Sequence, residues 1–303
     1  MSTSTLPFYQ VDVFSSEPYK GNPVAVTIIE DESIAERLQD GDHMARFARW
    51  TNLSETTFIL PPTKQDEPEV DYTLRIFTPG MELPFAGHPT LGSCRAWLEH
   101  GGKPKQAGVV VQKCGLGLIY IRISEDGQLL SFSTPPLRKS GPASLQEITP
   151  FLKAMDLPAE DVLEAEWIVN GPEWCALRLR DAKAVLNVNV SDPSAAGKGM
   201  WGILGSYKPG QHPDGATLEV RTFAPGDGIL EDPVTGSFSA GLGEWFRNTK
   251  PAEAVKDDRL SFIVAQGTCL DRSGRLYIKQ EDDGKIWVGG RTLVCIKGNV
   301  VLP

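Results

Sequence analysis

Ionisable and hydroxyl side chains stand at the start of two predicted helices, where they could bind a small anion or move a proton. In the first, His88 precedes Pro89, and proline is favoured at the first helical position. In the second, Asp232 is followed by Thr235 and Ser237, which are natural N-cap residues. A helix N-terminus presents free N–H groups and about half a positive charge, so it can bind an anion. The alternative is that both are simply well-capped structural helices, and the pattern alone leaves the two open.

The two helix starts belong to one repeated stretch of sequence. The aligned pairs are Arg75 and Arg221, Phe77 and Phe223, Pro79 and Pro225, Pro84 and Pro233, and Gly87 and Gly236. The offset is 146 residues for the first three pairs (221 minus 75) and 149 for the last two (236 minus 87). A repeat of about half the chain length indicates a duplicated domain and not a solenoid of short units.

Each repeat runs from a β-branched and aromatic strand through a Pro-Gly turn into a helix with many small residues. A glycine inside a helix costs about 1 kcal/mol relative to alanine. That cost is understandable where neighbouring backbone packs close on several sides. We therefore predict two central helices wrapped by sheet. The sequence contains two copies of this set of strands with one such helix, which predicts an α+β fold with two similar lobes.

Composition narrows the class of protein. The 303 residues suffice for two domains of ordinary size. The net charge of −9 argues against non-specific nucleic-acid binding. No basic segment followed by an apolar core stands at the N-terminus, and no apolar run approaches the ~20 residues that span a membrane. We expect neither a secretory signal nor a membrane partner.

Cysteine and histidine usage gives no sign of a metal site. The five cysteines are scattered without a C-x-x-C pair, which favours a reduced, cytoplasmic protein. The four histidines make no metal-ligand spacing with a cysteine or with one another. Phosphate-binding and serine-hydrolase motifs are absent as well.

A segment rich in proline and glycine, 134–143, is the best linker candidate. It predicts an N-terminal lobe over 1–134 and a C-terminal lobe over 144–303. The last strand is left free to return to the first lobe.

Six motifs in order resemble the phenazine-biosynthesis isomerase-like (PhzF-like) family. They are GNPVAV (21–26), NLSETTF (52–58), RIFTP…ELPFAGHPTLG (75–92), NGPEW (170–174), RTFAP…EDPVTGS (221–237) and VGGRTLVCIKG (288–298). The resemblance implies a diaminopimelate-epimerase-like fold, in which each lobe is a barrel-like, mostly antiparallel sheet around a central helix. It also implies an active site in the cleft between the lobes, no cofactor and a homodimer.

Carried over residue by residue, the resemblance makes Glu55 the proton-transferring acid and base. It places His88 at the substrate, with Asp232 and Ser237 lining the same site. The related epimerases use a pair of cysteines, and the matching loops here contain none, which disfavours two-cysteine racemisation. The remaining candidates for substrate binding or for shaping the cleft are Gly87, Pro89, Thr90, Gly236, Asn22 and Gly171.

The predicted chemistry is proton transfer at carbon, which needs a base near the carbon and stabilisation of the charge left behind. Glu55 would remove a proton from one carbon and return it to another on the same face of a small carboxylate substrate. Its pKa should then be raised toward neutrality by burial and by a second carboxylate such as Asp232. On residues alone, Glu55 reads more readily as an exposed carboxylate and Asp232 more readily as a helix cap. His88 reads equally as a residue bonded to nearby backbone. Two rival functions stay open: a one-base epimerase of an amino or hydroxy acid, and a silent ligand-binding protein.

Overall fold

The protein is described from a computed structural model, which covers residues 3–63, 66 and 68–302. The first two residues and the last, which the predicted lobe bounds include, lie outside this range. Clustering of the chain gives two compact units: unit 1 is Met1–Ser133 with Gly289–Pro303, and unit 2 is Thr134–Val288.

The strands are β1 (Ser4–Val13), β2 (Asn22–Ile28), β3 (Thr56–Leu60), β4 (Tyr72–Phe77), β5 (Glu82–Leu83), β6 (Val109–Cys114), β7 (Gly117–Ile123), β8 (Leu129–Ser133), β9 (Lys139–Pro142), β10 (Glu164–Val169), β11 (Trp174–Arg178), β12 (Met200–Ser206), β13 (Leu218–Ala224), β14 (Ile229–Asp232), β15 (Val255–Lys256), β16 (Arg259–Gln266), β17 (Gly274–Gln280) and β18 (Ile286–Leu302). The helices are α1 (Glu32–Arg37), α2 (Asp42–Thr51), α3 (Gly87–Glu99), α4 (Leu145–Ala154), α5 (Ala182–Asn187) and α6 (Gly236–Thr249).

Eight strands of unit 1 close into a barrel. Around the barrel their order is β18, β1, β2, β3, β4, β6, β7 and β8, and β8 pairs again with β18. The β2–β3 and β4–β6 pairs are parallel, and the β18–β1, β1–β2, β3–β4, β6–β7 and β7–β8 pairs are antiparallel. The last strand of the chain therefore completes the first unit.

Helix α3 fills the barrel and contacts β1, β2, β3, β4 and β8. Its glycines are needed because the strands come so close: a Cβ on Gly92 would stand 2.3 Å from Val24 Cγ1. This contact explains why a residue with low helix propensity is kept in the middle of a helix.

Unit 2 repeats the same series of pairings. β10 is antiparallel to β11, β11 parallel to β12, β12 antiparallel to β13, β13 parallel to β16, and β16 antiparallel to β17. Helix α6 lies against β10, β11, β16 and β17. On α6, a Cβ added to Gly241 would meet Ile168 O at 2.8 Å. The predicted two-lobed α+β fold from duplication is confirmed.

The boundary between the units falls at the start of the linker candidate 134–143, and the second half of that segment forms β9, which pairs with β10 of unit 2. One local prediction was wrong. Pro89 is the third residue of α3 and not the first, since the helix begins at Gly87 with Ala86 as N-cap.

Candidate active site

Glu55 stands immediately before β3, with its side chain only 15% exposed. Burial raises the pKa of this carboxyl to about 7, against a smaller lowering by a hydrogen bond from the Ser54 side chain. A carboxyl with that pKa is present in both protonation states near neutral pH, as an acid and base acting at carbon must be. The exposed-carboxylate alternative for Glu55 is wrong. That Asp232 contributes to the raised pKa of Glu55 stays a prediction.

His88 is the second residue of α3 and is buried. Its Nε2 lies 3.3 Å from Glu55 Oε2, within ion-pair distance, although the two atoms do not meet the geometry of a hydrogen bond. The fold thus brings together two candidate residues that are 33 positions apart in the sequence (88 minus 55).

Asn22 lies at the same end of the barrel as Glu55. It is the first residue of β2, which runs parallel to β3 with Ala25 opposite Thr56. Glu55 directly precedes Thr56, the first residue of β3. Asn22 and Glu55 therefore stand at the starts of two neighbouring parallel strands. Asn22 is 1% exposed, so it is a buried amide near the predicted site.

Three further candidates form the first turn of α3. Gly87, Pro89 and Thr90 are all buried. A Cβ on Gly87 would stand 2.7 Å from Phe132 Cζ, so only glycine fits between the helix start and β8. No side chain caps the N-terminus of α3 within the described residues, so the partial positive charge of the helix start is not offset by a capping group.

Asp232 ends β14 in unit 2 and is held by its own loop. Its Oδ2 accepts a hydrogen bond of 2.7 Å from Thr235 Oγ1, and Oδ1 accepts one of 3.3 Å from the backbone N–H of Val234. Thr235 is the N-cap of α6, as predicted, but its hydroxyl makes no capping bond to the helix. Asp232 therefore binds the residues that lead into the helix, which is compatible with both the cap and the substrate-binding interpretations.

Ser237 is the second residue of α6 and is bound by the NGPEW segment. Trp174 Nε1 donates to Ser237 Oγ at 2.9 Å, and Asn170 Nδ2 donates to Ser237 O at 2.8 Å. Gly171 lies in the same loop and is exposed, while Gly236 is buried at the helix start. The candidates of unit 2 are thus gathered around the beginning of α6.

Unit 2 also has a cavity of about 490 Å³ that includes none of these residues. It is lined by apolar side chains that include Val190, Phe223, Leu230 and Leu270. Glu231, the charged residue that also lines it, is paired with Arg221, so the cavity gives no reason to move the candidate site there.

The family model described as phenazine biosynthesis-like protein matches residues 11–299. The chain belongs to this family. It is 32% identical to antisense-enhancing sequence 1 of Schizosaccharomyces pombe over 96% of this chain and 97% of that protein. It is 28% identical to the trans-2,3-dihydro-3-hydroxyanthranilate isomerase of Pseudomonas aeruginosa over 91% of this chain and 90% of that protein.

Solved structures support the same fold. The phenazine biosynthesis protein of the PhzF family from Bacillus anthracis superposes with a TM-score of 0.78 at 19% identity, covering 98% of this chain and 99% of that one. A hydroxyproline epimerase from Agrobacterium vitis superposes with a TM-score of 0.54 at 11% identity, covering 98% and 92%. The predicted phenazine-biosynthesis-like fold with epimerase-like relatives is confirmed.

Two of the five cysteines, Cys94 and Cys175, are completely buried. Cys94, on α3, is fully buried, and burial raises its pKa to about 12. Cys175 is likewise buried, with its pKa raised to about 12. Such thiols are poor bases and poor nucleophiles at neutral pH.

The part of the chain that the structure describes contains no group of three or more His, Cys, Asp or Glu side chains placed to hold a metal ion. No helix within 3–63, 66 and 68–302 has the length and apolar character needed to cross a membrane.

Sequence reasoning missed two buried glutamines, one in each unit. Gln112 on β6 donates through Nε2 to Thr90 Oγ1 at 3.1 Å, and Gln266 on β16 donates to Thr235 Oγ1 at 3.0 Å. Both are fully buried. A polar residue in an otherwise apolar strand, VVVQ and FIVAQ, was the available signal.

Proposed function

We propose that this chain is an isomerase that moves a hydrogen between two carbons of a small carboxylate-bearing substrate. Glu55 acts as the single acid and base, and no cofactor takes part. The observation that carries the proposal is the buried Glu55 carboxyl, with a pKa raised to about 7 and its Oε2 3.3 Å from His88 Nε2.

The first step uses Glu55 as a carboxylate. It takes a proton from a carbon next to an electron-withdrawing group, and the C–H electron pair passes into the conjugated system of the substrate. Glu55 is then a carboxylic acid. In the second step it returns the proton to a different carbon on the same face, so the substrate and product have the same composition. A pKa near ambient pH suits both halves of this cycle, because neither form of the carboxyl is strongly favoured.

Negative charge develops on the substrate between the two steps, and two features of unit 1 can stabilise it. His88 can donate to a substrate oxygen from a position beside the proton carrier. The partial positive charge at the uncapped N-terminus of α3 can attract a carboxylate. The uncapped N-terminus of α6, next to Asp232 and Ser237, offers the same chemistry in unit 2.

The relative named as an isomerase supports this reaction class and supplies a first substrate to try. We infer that trans-2,3-dihydro-3-hydroxyanthranilate, the compound in the name of that relative, is a suitable probe. This compound carries a carboxylate, and a hydrogen can be moved from one of its ring carbons to another. Other small carboxylates can be screened alongside it for exchange of carbon-bound hydrogen in heavy water.

Replacement of the proton carrier tests the proposal. Glu55→Gln keeps the size and burial of the side chain but removes its basicity, so turnover should fall by about 10²- to 10⁴-fold with the fold intact. Glu30→Gln is the matched control, since that carboxylate is 73% exposed and should not affect the rate. Near-normal turnover by Glu55→Gln would refute the assignment.

A one-base epimerase remains the second candidate, favoured by the fold shared with the hydroxyproline epimerase. An epimerase returns the proton to the carbon it left and inverts the configuration there. An isomerase in heavy water would instead place deuterium at a second carbon. A silent ligand-binding protein would bind a carboxylate tightly with no exchange of hydrogen.

Three further parts of the hypothesis stay predictions. We propose that Asp232 and Ser237 act on the same substrate as Glu55, which Asp232→Asn would test through the rate on the same probe. We propose a homodimer, to be measured by sedimentation equilibrium, and a cytoplasmic location, to be checked by cell fractionation.

A further inference from the structure

A chain of hydrogen bonds leads to the Asp232 carboxylate from a buried amide. Gln266 Nε2 lies 2.9 Å from Thr222 Oγ1, which lies 2.5 Å from Thr235 Oγ1, which lies 2.7 Å from Asp232 Oδ2. Gln266 and Thr222 are fully buried, and Thr235 is 5% exposed. This series of hydrogen bonds joins β16, β13 and the loop before α6 at one point.

The direction of each bond follows from what the groups can donate. An ionised carboxylate only accepts, so Thr235 must give its proton to Asp232. Thr222 must then donate to Thr235, and Gln266 must donate to Thr222. Both hydroxyl hydrogens in this series of bonds therefore point toward Asp232, and the Gln266 NH₂ donates to Thr222 at the far end.

The orientation of the Gln266 amide is fixed by its other contacts. Its Oε1 accepts from the backbone N–H of Thr235 at 3.0 Å, while Nε2 also donates to the backbone O of Asp232 at 3.0 Å. A flipped amide would put oxygen against a carbonyl and NH₂ against an N–H. Gln266 Oε1 thus holds the backbone of Thr235. The two hydrogens of Nε2 are shared among three acceptors, namely the hydroxyls of Thr222 and Thr235 and the carbonyl of Asp232.

Unit 1 contains a comparable arrangement. Gln112 lies on the strand parallel to β4, as Gln266 lies on the strand parallel to β13. Gln112 accepts from Tyr72 OH at 3.2 Å and donates to Thr90 on α3 at 3.1 Å. The contact point differs, since Thr90 is within the helix and Thr235 is the N-cap. In both units a buried glutamine joins the parallel strand pair to the first turn of the central helix.

We propose that Gln266 is a positioning residue: through Thr222 and Thr235 it fixes Asp232 and the N-terminus of α6 in the geometry that receives the substrate. The inference rests on the proposed function for its kinetic consequence but not for its structural one. It assigns to Gln266 no contact with the substrate.

The test uses two substitutions in the full chain. Gln266→Met keeps the length of the side chain and removes all its hydrogen bonds. Gln266→Glu keeps an acceptor for Thr235 N–H and can donate only when protonated. Ser239→Ala is the control, because it removes a buried hydroxyl from α6 that has no hydrogen-bond partner among the described residues.

With trans-2,3-dihydro-3-hydroxyanthranilate as the probe, Gln266→Met should raise KM about tenfold while kcat changes less, because Asp232 and the start of α6 are no longer held in place. Gln266→Glu should approach the wild-type KM as pH falls, since its protonated form can start the chain again. A residue that only fills space would show no such pH dependence. Wild-type KM in Gln266→Met, or a Gln266→Glu defect independent of pH, would overturn the proposal.

Amide hydrogen exchange separates this result from a failure of the proposed function. If the wild-type protein does not convert the probe, Gln266→Met should still speed exchange at residues 235–240 about tenfold, with the rest of α6 and the Ser239→Ala protein unchanged. Unchanged exchange at 235–240, or an equal loss of protection throughout unit 2, would overturn the positioning role.

Discussion

Thr57 Oγ1 lies 2.8 Å from Ser93 Oγ, in a buried hydrogen bond that joins the strand after Glu55 to the helix that carries His88 in its first turn. Both hydroxyls are shielded from solvent. Because β3 and α3 carry the two groups of the candidate proton-transfer site, this contact fixes how the strand and the helix sit against each other.

Ser93→Ala removes that contact without changing the shape of the helix. Thr57 keeps a second acceptor, Ala25 O at 3.3 Å, so the free energy of unfolding should fall by only about 1 kcal/mol. Turnover should fall more than stability suggests, since the Glu55–His88 distance is no longer fixed. Urea unfolding and turnover, measured beside Ser239→Ala, check this. A rate equal to that of Ser239→Ala would contradict it.

The pH dependence of the reaction should follow the pKa of Glu55. With that pKa at about 7, the base form appears as pH rises, so kcat/KM should increase from about pH 6 to pH 8. Ser54→Ala removes a hydrogen bond that lowers this pKa, so the midpoint should move to higher pH. A pH–rate profile of both proteins measures the shift, and a midpoint that moves down would contradict the assignment.

The same group should make stability depend on pH. The pKa of Glu55 rises from 4.5 to about 7 on folding, so its contribution favours the folded state at low pH. That contribution is complete below the unfolded pKa and is lost as pH rises through the folded one, to a total of about 3 kcal/mol. Wild type should therefore lose stability relative to Glu55→Gln between pH 5 and pH 8 in denaturant titrations. A difference that stays constant with pH would contradict the buried carboxyl.

The duplicated arginines should differ in their effect on stability. Arg75 and Arg221 make equivalent two-pronged ion pairs, with Glu82 and Glu231. The side chains of the second pair are 7% and 12% exposed, against 20% and 42% for the first.

Arg221→Met leaves a buried carboxylate without its partner and should cost about 3–5 kcal/mol. Arg75→Met, its natural control, should cost about 1 kcal/mol. Chemical denaturation measures both, and equal costs would show that burial does not set the difference.

Gly87→Ala tests the close approach of α3 to Phe132. The added Cβ would stand 2.7 Å from the ring, so the ring or the helix start must shift, at a cost of about 1–3 kcal/mol. The shift displaces the neighbouring His88, so turnover should also fall. Gly298→Ala is the control, since nothing lies within 4 Å of its Cβ. Wild-type rate and stability in Gly87→Ala would show that the space is larger than described.

Local pattern predicted the parts of the fold that depend on neighbouring residues. The small-residue helices and the repeated strand–turn–helix follow from residue type and spacing. The edge strand β9 was missed because Lys139–Pro142 has glycine and proline in place of β-branched residues. Its pairing with β10 overrides that weak propensity.

By itself, the sequence determined the duplication, the α+β class and, through the family motifs, the choice of Glu55, His88, Asp232 and Ser237. These follow from residue identity at fixed spacing. Only the tertiary structure decided that the last strand closes the first barrel, that Glu55 is buried beside His88, and that Gln112 and Gln266 hold the central helices. The physical reason is that burial and hydrogen bonding join residues far apart in the chain, as in the Gln266–Thr222 bond, and no local periodicity records which distant group will be the partner.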